Sequence, residues 1–66
     1  MPAIGSIWRH RKGGVYVVTG ACRLEATDQD AVLYTALGGG GVVWARAASE
    51  FLDGRFDEVD PGRIAD

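Results

Sequence analysis

The sequence predicts an all-β fold of five short strands, with one helical or 3₁₀ turn before the last strand. Three observations lead there. Runs rich in Val, Tyr, Trp and Ile recur about every ten residues, separated by glycine or aspartate clusters. No stretch keeps the apolar period of an amphipathic helix for more than a single turn. The chain has 66 residues, enough for one domain near the lower limit of independent folding.

The elements follow in order. Residues 1–5 are a flexible lead-in. Ser6 to Arg9 form a first short strand, with Ile7 and Trp8 on opposite faces. Lys12-Gly13-Gly14 turns the chain into its longest strand, Val15 to Glu25, inside which Gly20 marks a bulge or bend of the kind that curls small sheets. Ala26 to Asp30 is a polar turn whose aspartates are solvated charge. A third strand runs from Ala31 to Leu37, a flexible tip from Gly38 to Gly41, and a fourth strand from Val42 to Arg46. Ser49 is the expected N-cap of a turn over Glu50-Phe51-Leu52, stopped by Asp53-Gly54. Arg55 to Val59 makes the fifth strand with Phe56 pointing inward, and residues 60–66 are a loose tail. This order is that of a small five-stranded SH3-like barrel, a single domain over residues 6–59.

Composition narrows the partners. Cys22 is the only cysteine and His10 the only histidine, so an intrachain disulfide is excluded and a structural zinc site lacks ligands; no metal or cofactor is expected. A core of this size rarely supplies more than about 3–5 kcal/mol, which leaves homo-oligomerisation as the expected staple. No apolar run approaches the roughly 20 residues of a membrane span, the N-terminus lacks a signal-peptide shape, and a lone thiol suits a reducing interior. A cytoplasmic chain without a membrane partner is expected. Cys22 itself, mid-strand among apolar neighbours, reads as a small core residue and not a reactive thiolate.

The net charge of −2 is unevenly spread. No acid precedes Glu25, whereas Arg9, Arg11, Lys12 and Arg23 are positive; from Glu25 onward nine acids face three arginines. One pole suits an anionic ligand, and the other repels long polyanions, so no long nucleic acid is expected.

Particular residues also point to a family. Gly5-x-x-Trp8-Arg9-His10-x-Lys12-Gly13-Gly14-x-Tyr16-x-Val18 is followed by Glu25-Ala26-Thr27, Val32-Leu33-Tyr34-x-Ala36-Leu37, Trp44-x-Arg46, Phe51 and Asp53-Gly54-Arg55-Phe56. This pattern resembles a short bacterial and phage family known as domain of unknown function 1653, over nearly the whole chain. Leu24 stands where that family often has a histidine, Ala47 where a proline often follows Trp-x-Arg, and four glycines replace a more polar turn. The resemblance implies the fold and leaves the activity open.

The chemistry centres on Arg9 to Lys12, where three cations and the only histidine occupy four consecutive positions. Along a strand, His10 and Lys12 share one face and Arg9 and Arg11 the other. Such a cluster needs a counter-charge, supplied by Glu25 or Glu50 or by an anionic ligand; a purely solvated basic turn is the plainer alternative. Trp8, Tyr16, Tyr34 and Trp44 are too many large aromatics for so small a core to swallow, although Tyr16 has the best case for burial. Aromatic faces beside arginines, as at Trp8-Arg9 and Trp44-Ala45-Arg46, make the stack-and-clamp pattern that holds a base. The expected binding face is therefore Arg9, His10, Lys12, Arg23, Tyr34, Trp44 and Arg46, with Glu25 orienting arginines. No pairing of nucleophile and base is evident, so the chain is expected to be non-catalytic: a module that holds, and so sequesters, a small anionic nucleotide-type ligand. The alternatives are an adaptor docking an acidic partner segment and an accessory subunit of a nucleic-acid enzyme.

Overall fold

A computed structural model describes residues 1–60; of the expected tail, 61–66 lie outside the described residues. Its elements are β1 (Ile7–His10), β2 (Val15–Leu24), β3 (Gln29–Ala36), β4 (Trp44–Ala47), the helical turn α1 (Ala48–Phe51) and β5 (Phe56–Val59). All strand pairings are antiparallel, and the order across the sheet is β4-β3-β2-β1-β5. The fold is all-β, with the single helical turn where the sequence expects it.

Period-two alternation selects the inner face. Trp8, Tyr16, Val18, Val32, Tyr34 and Phe56 gather there, and Phe51 of α1 joins them fully buried. Phe51 stacks on Phe56 at 4.3 Å and meets Trp8 at 5.1 Å and Tyr34 at 5.3 Å edge-on. Each such ring pair adds about 0.5–1.5 kcal/mol beyond its buried area, so these few rings account for much of a small core.

The sheet curls without closing. β4 and β5 are its two edges, and side chains join them in place of a ladder. The Arg46 guanidinium of β4 lies 5.8 Å from the Phe56 ring centre of β5, and Phe51 packs beneath. Curling starts in β2, where the register shifts between Val18 and Gly20, as the interrupting glycine predicts.

Several local expectations need correction. Cys22 is exposed, not a core residue: β2 has no buried residue after Val18, because the strand runs past the aromatic cluster once the bulge has shifted its register. Ser49 does not cap α1. β4 passes directly into the helical turn, so Ala47 occupies the N-cap and no side chain caps it; the Leu52 N–H closes the turn on the Ala48 carbonyl. Asp30 is a strand residue, not part of the turn. A positive φ of 55° at Asp28 tightens that turn, so β3 begins at Gln29 and Asp30 faces Arg23 across the ladder. The lead-in is tied to the sheet, the Gly5 N–H donating to the Val18 carbonyl at 2.8 Å.

Candidate functional site

The open seam between the sheet edges holds a cavity of about 300 Å³. Its aromatic surfaces come from Tyr16, Tyr34, Phe56 and Trp44, and its basic ones from His10, Lys12 and Arg46. No carboxylate lines it.

The β1–β2 turn sets the basic side. The Gly13 N–H donates to the His10 carbonyl and the His10 N–H to the Gly14 carbonyl, both at 2.7 Å, which closes a tight loop over Arg11, Lys12 and Gly13. Gly13 adopts φ +109°, a conformation that side chains disfavour. Gly14 is needed for a different reason: a Cβ there would lie 2.9 Å from the Tyr16 hydroxyl. The Gly-Gly pair thus makes the turn and keeps one wall of the cavity open.

His10 is held by its neighbours. The Lys12 amide donates to Nδ1 at 3.1 Å, and the ring meets Phe56 edge-on at 4.8 Å. The neutral imidazole therefore keeps its proton on Nε2, leaving a donor for a ligand. Partial burial pulls its pKa below the ordinary histidine value, and the charges of Arg11, Arg46, Lys12 and Arg55 push the same way.

Arg46 spans the seam. Its Nε donates to the Tyr34 hydroxyl at 3.2 Å, and a terminal nitrogen lies 3.6 Å from Glu50, four residues on. The Tyr34 bond, with Glu50 nearby, raises its pKa further above an already high value, so it stays charged. Of the two expected counter-charges, Glu50 is the one beside Arg46, and it also lies 3.9 Å from Arg55. Tyr34 is buried with its ring edge-on to Tyr16 at 5.3 Å, whereas Trp44 is 53% exposed.

The fold thus brings together five of the eight expected residues: His10, Lys12, Tyr34, Trp44 and Arg46. It separates the other three from them. Arg9 points to the opposite face of β1, directly across from Asp57, in a depression shared with Glu58 and Asp60. Arg23 sits at the far end of β2, 3.6 Å from both Asp28 and Asp30, with a further bond to the Asp28 carbonyl at 3.1 Å. Glu25 lies in the β2–β3 turn beyond that. Their sequence neighbours suggested a common face, but strand alternation and the length of β2 put them elsewhere.

Sequence reasoning missed Gly14, Tyr16 and Phe56 as lining residues. Tyr16 and Phe56 read as core, and each does pack on the core while also presenting an edge to the cavity. The signal was present in Gly14-x-Tyr16, because a glycine two residues before a tyrosine on one strand face leaves the ring uncovered. Among the described residues no group of three or more His, Cys, Asp or Glu side chains is placed to hold a metal ion. No helix there is long and apolar enough to cross a membrane.

Fold and site together define a small curled antiparallel sheet whose unclosed seam brings aromatic rings and basic side chains together. The chain belongs to a family described as a protein of unknown function, DUF1653, which matches residues 6–63. Comparison with curated proteins and with solved structures found no match.

Proposed function

We propose that this chain is a non-catalytic binding module that holds a small anionic, nucleotide-type ligand in the seam cavity, and so sequesters it. One observation supports this most directly: His10, Lys12 and Arg46 line one cavity together with four aromatic rings, and no carboxylate lines it. An aromatic platform suits the face of a base, and the basic side chains of Lys12 and Arg46 suit a phosphate. The volume lies at the lower end of small-ligand pockets, which favours one base with its phosphate over a polymer.

The roles divide by position. Trp44, half exposed at the mouth, supplies a face for stacking. Lys12 and the Nε2–H of His10 supply donors from the turn. Arg46 adds charge while already bonded to Tyr34 and Glu50, so it positions the wall as much as it binds. Binding chemistry suits His10 better than proton transfer, since its Nδ1 is occupied by a backbone amide and its ring is held edge-on against Phe56. A lone exposed thiol is at home in a reducing compartment, in keeping with a cytoplasmic role.

The test is direct. The purified protein should show excess absorbance at 260 nm, with a nucleotide in the mass spectrum of the released material. Titration with nucleoside mono- and diphosphates should quench Trp44 emission in wild type, and in Lys12→Ala only at roughly tenfold to hundredfold higher concentration. No retention, and no quenching by any nucleotide at millimolar concentration, would overturn the reading. Quenching by an acidic peptide alone would move the assignment to an adaptor.

A further inference from the structure

The side chains lining the seam are unbalanced in their hydrogen bonding. Lys12 and Arg46 carry donors only, and so does the Trp44 indole. The neutral His10 ring offers its Nε2–H, since its Nδ1 already accepts from the Lys12 amide at 3.1 Å. The Tyr34 oxygen already accepts from Arg46 Nε at 3.2 Å. Tyr16 is different. Its hydroxyl has no hydrogen-bond partner among the described residues, and it is not sealed from solvent. The Tyr16 oxygen is therefore the one side-chain acceptor of the lining that the protein leaves unengaged.

Two features hold that hydroxyl in place and keep it open. The Tyr16 ring stands edge-on to Tyr34 at 5.3 Å and to Phe56 at 6.0 Å, which fixes its orientation. Gly14 lines the same cavity and gives the hydroxyl no cover. A Cβ there would lie 2.9 Å from the hydroxyl oxygen and 3.0 Å from the nearest ring carbon. Gly14 has no positive φ to call for a glycine, unlike Gly13. What its missing side chain provides is room beside Tyr16.

We infer that Tyr16 is the specificity-determining residue of the seam: its hydroxyl oxygen accepts from an exocyclic amino group of the bound base, and Gly14 keeps that approach open. The inference rests on the nucleotide reading above and narrows it to amino bases. A phosphate and a keto oxygen are acceptors, and the lining meets them with several donors. An amino group is a donor, and among the lining side chains only Tyr16 is free to receive it. A ligand donor placed against other donors loses its water and gains no partner, so an amino base binds well only if it reaches Tyr16.

Two pairs of nucleoside monophosphates differ only in that group: guanosine against inosine, and adenosine against purine riboside. Calorimetric titration measures all four on wild type, Tyr16→Phe and Gly14→Ala. Wild type should favour the amino member of the tighter-binding pair by about three- to tenfold, the effect of one neutral hydrogen bond. Tyr16→Phe should bind both members alike. Its Tm and circular dichroism should match wild type, because the lost hydroxyl holds no other part of the protein. Gly14→Ala, whose Cβ crowds the hydroxyl, should lose the same preference and bind both members more weakly. Equal affinities within both pairs in wild type, or a preference that survives Tyr16→Phe, would overturn the inference and leave the ligand reading standing. A wild type that binds none of the four would sink that reading, and this inference with it.

Discussion

The two ends of the long β2–β3 hairpin both present basic residues, and they use them in opposite ways. At the seam end, Lys12, His10 and Arg46 surround aromatic rings with no acid lining the cavity. At the far end, Arg23 lies between Asp28 and Asp30, mostly exposed, with no ring beneath it. Exposed pairs of that sort contribute about 0–1 kcal/mol and leave little charge for a ligand. Arg46 also has an acid beside it, Glu50 at 3.6 Å, so what sets the seam end apart is the aromatic surface that the fold supplies there to bind against. Arg9 repeats the lesson on a single strand: one position from His10, it faces Asp57 across the ladder.

The largest effect should come from Arg46→Ala. It removes the hydrogen-bond donor to the hydroxyl of buried Tyr34 and the cation that spans the seam. Leaving a buried polar group unsatisfied costs about 1–3 kcal/mol, and each kcal/mol lowers the Tm of a domain this small by about 4–8 °C. Tm and nucleotide retention should therefore fall together. If thermal melting of Arg46→Ala matched wild type, Arg46 would be as free as a solvated arginine and the contrast between the two ends would lose its structural half.

Lys12→Ala should separate binding from stability. A hydrogen bond to a charged group is worth about 1.5–3 kcal/mol, so a nucleotide titration should show a loss of roughly tenfold to a hundredfold. Melting should stay within about 0.5 kcal/mol of wild type, since Lys12 is exposed in a turn. A stability loss with unchanged affinity would reverse the roles assigned to the turn.

His10 should make the seam end sensitive to pH and the far end not. Its folded pKa is lowered, so between that value and the ordinary 6.5 the unfolded chain binds more protons than the folded one. The contribution to stability is whole above about pH 6.5 and is lost as the pH falls through that window. A bound anion acts in the other direction: it favours the imidazolium, so affinity should rise on acidification while stability of the free protein falls. Urea melts and nucleotide titrations across pH 5–8, repeated on His10→Gln, check both signs. Identical pH profiles for variant and wild type would remove His10 from the site.

The smallest effects belong to the far end. Arg23→Ala should change neither affinity nor, beyond about 0.5 kcal/mol, stability. Exposed Cys22 should react readily with a thiol reagent in the native protein, without disturbing nucleotide retention. If Arg23→Ala weakened binding as much as Lys12→Ala, the two ends would not be distinct and the site would have to extend along β2.

The sequence by itself determined the strand count, the helical turn before the last strand and the bend in β2, because period two, β-branched runs and interrupting glycines are local signals. It also singled out His10, Lys12, Tyr34, Trp44 and Arg46, whose types matter wherever they lie. Only the tertiary structure decided which of eight candidates meet. Alternation along a strand already put Arg9 and His10 on opposite faces, but that His10 and Arg46, far apart in sequence, line one cavity is a product of the curl. The bulge between Val18 and Gly20 likewise took Cys22 out of the core, and the direct passage of β4 into α1 left Ser49 uncapping. Each depends on how the sheet curls. Curl sums small twists and a register shift over five strands, and ends in a seam held by Phe51, Phe56 and Arg46.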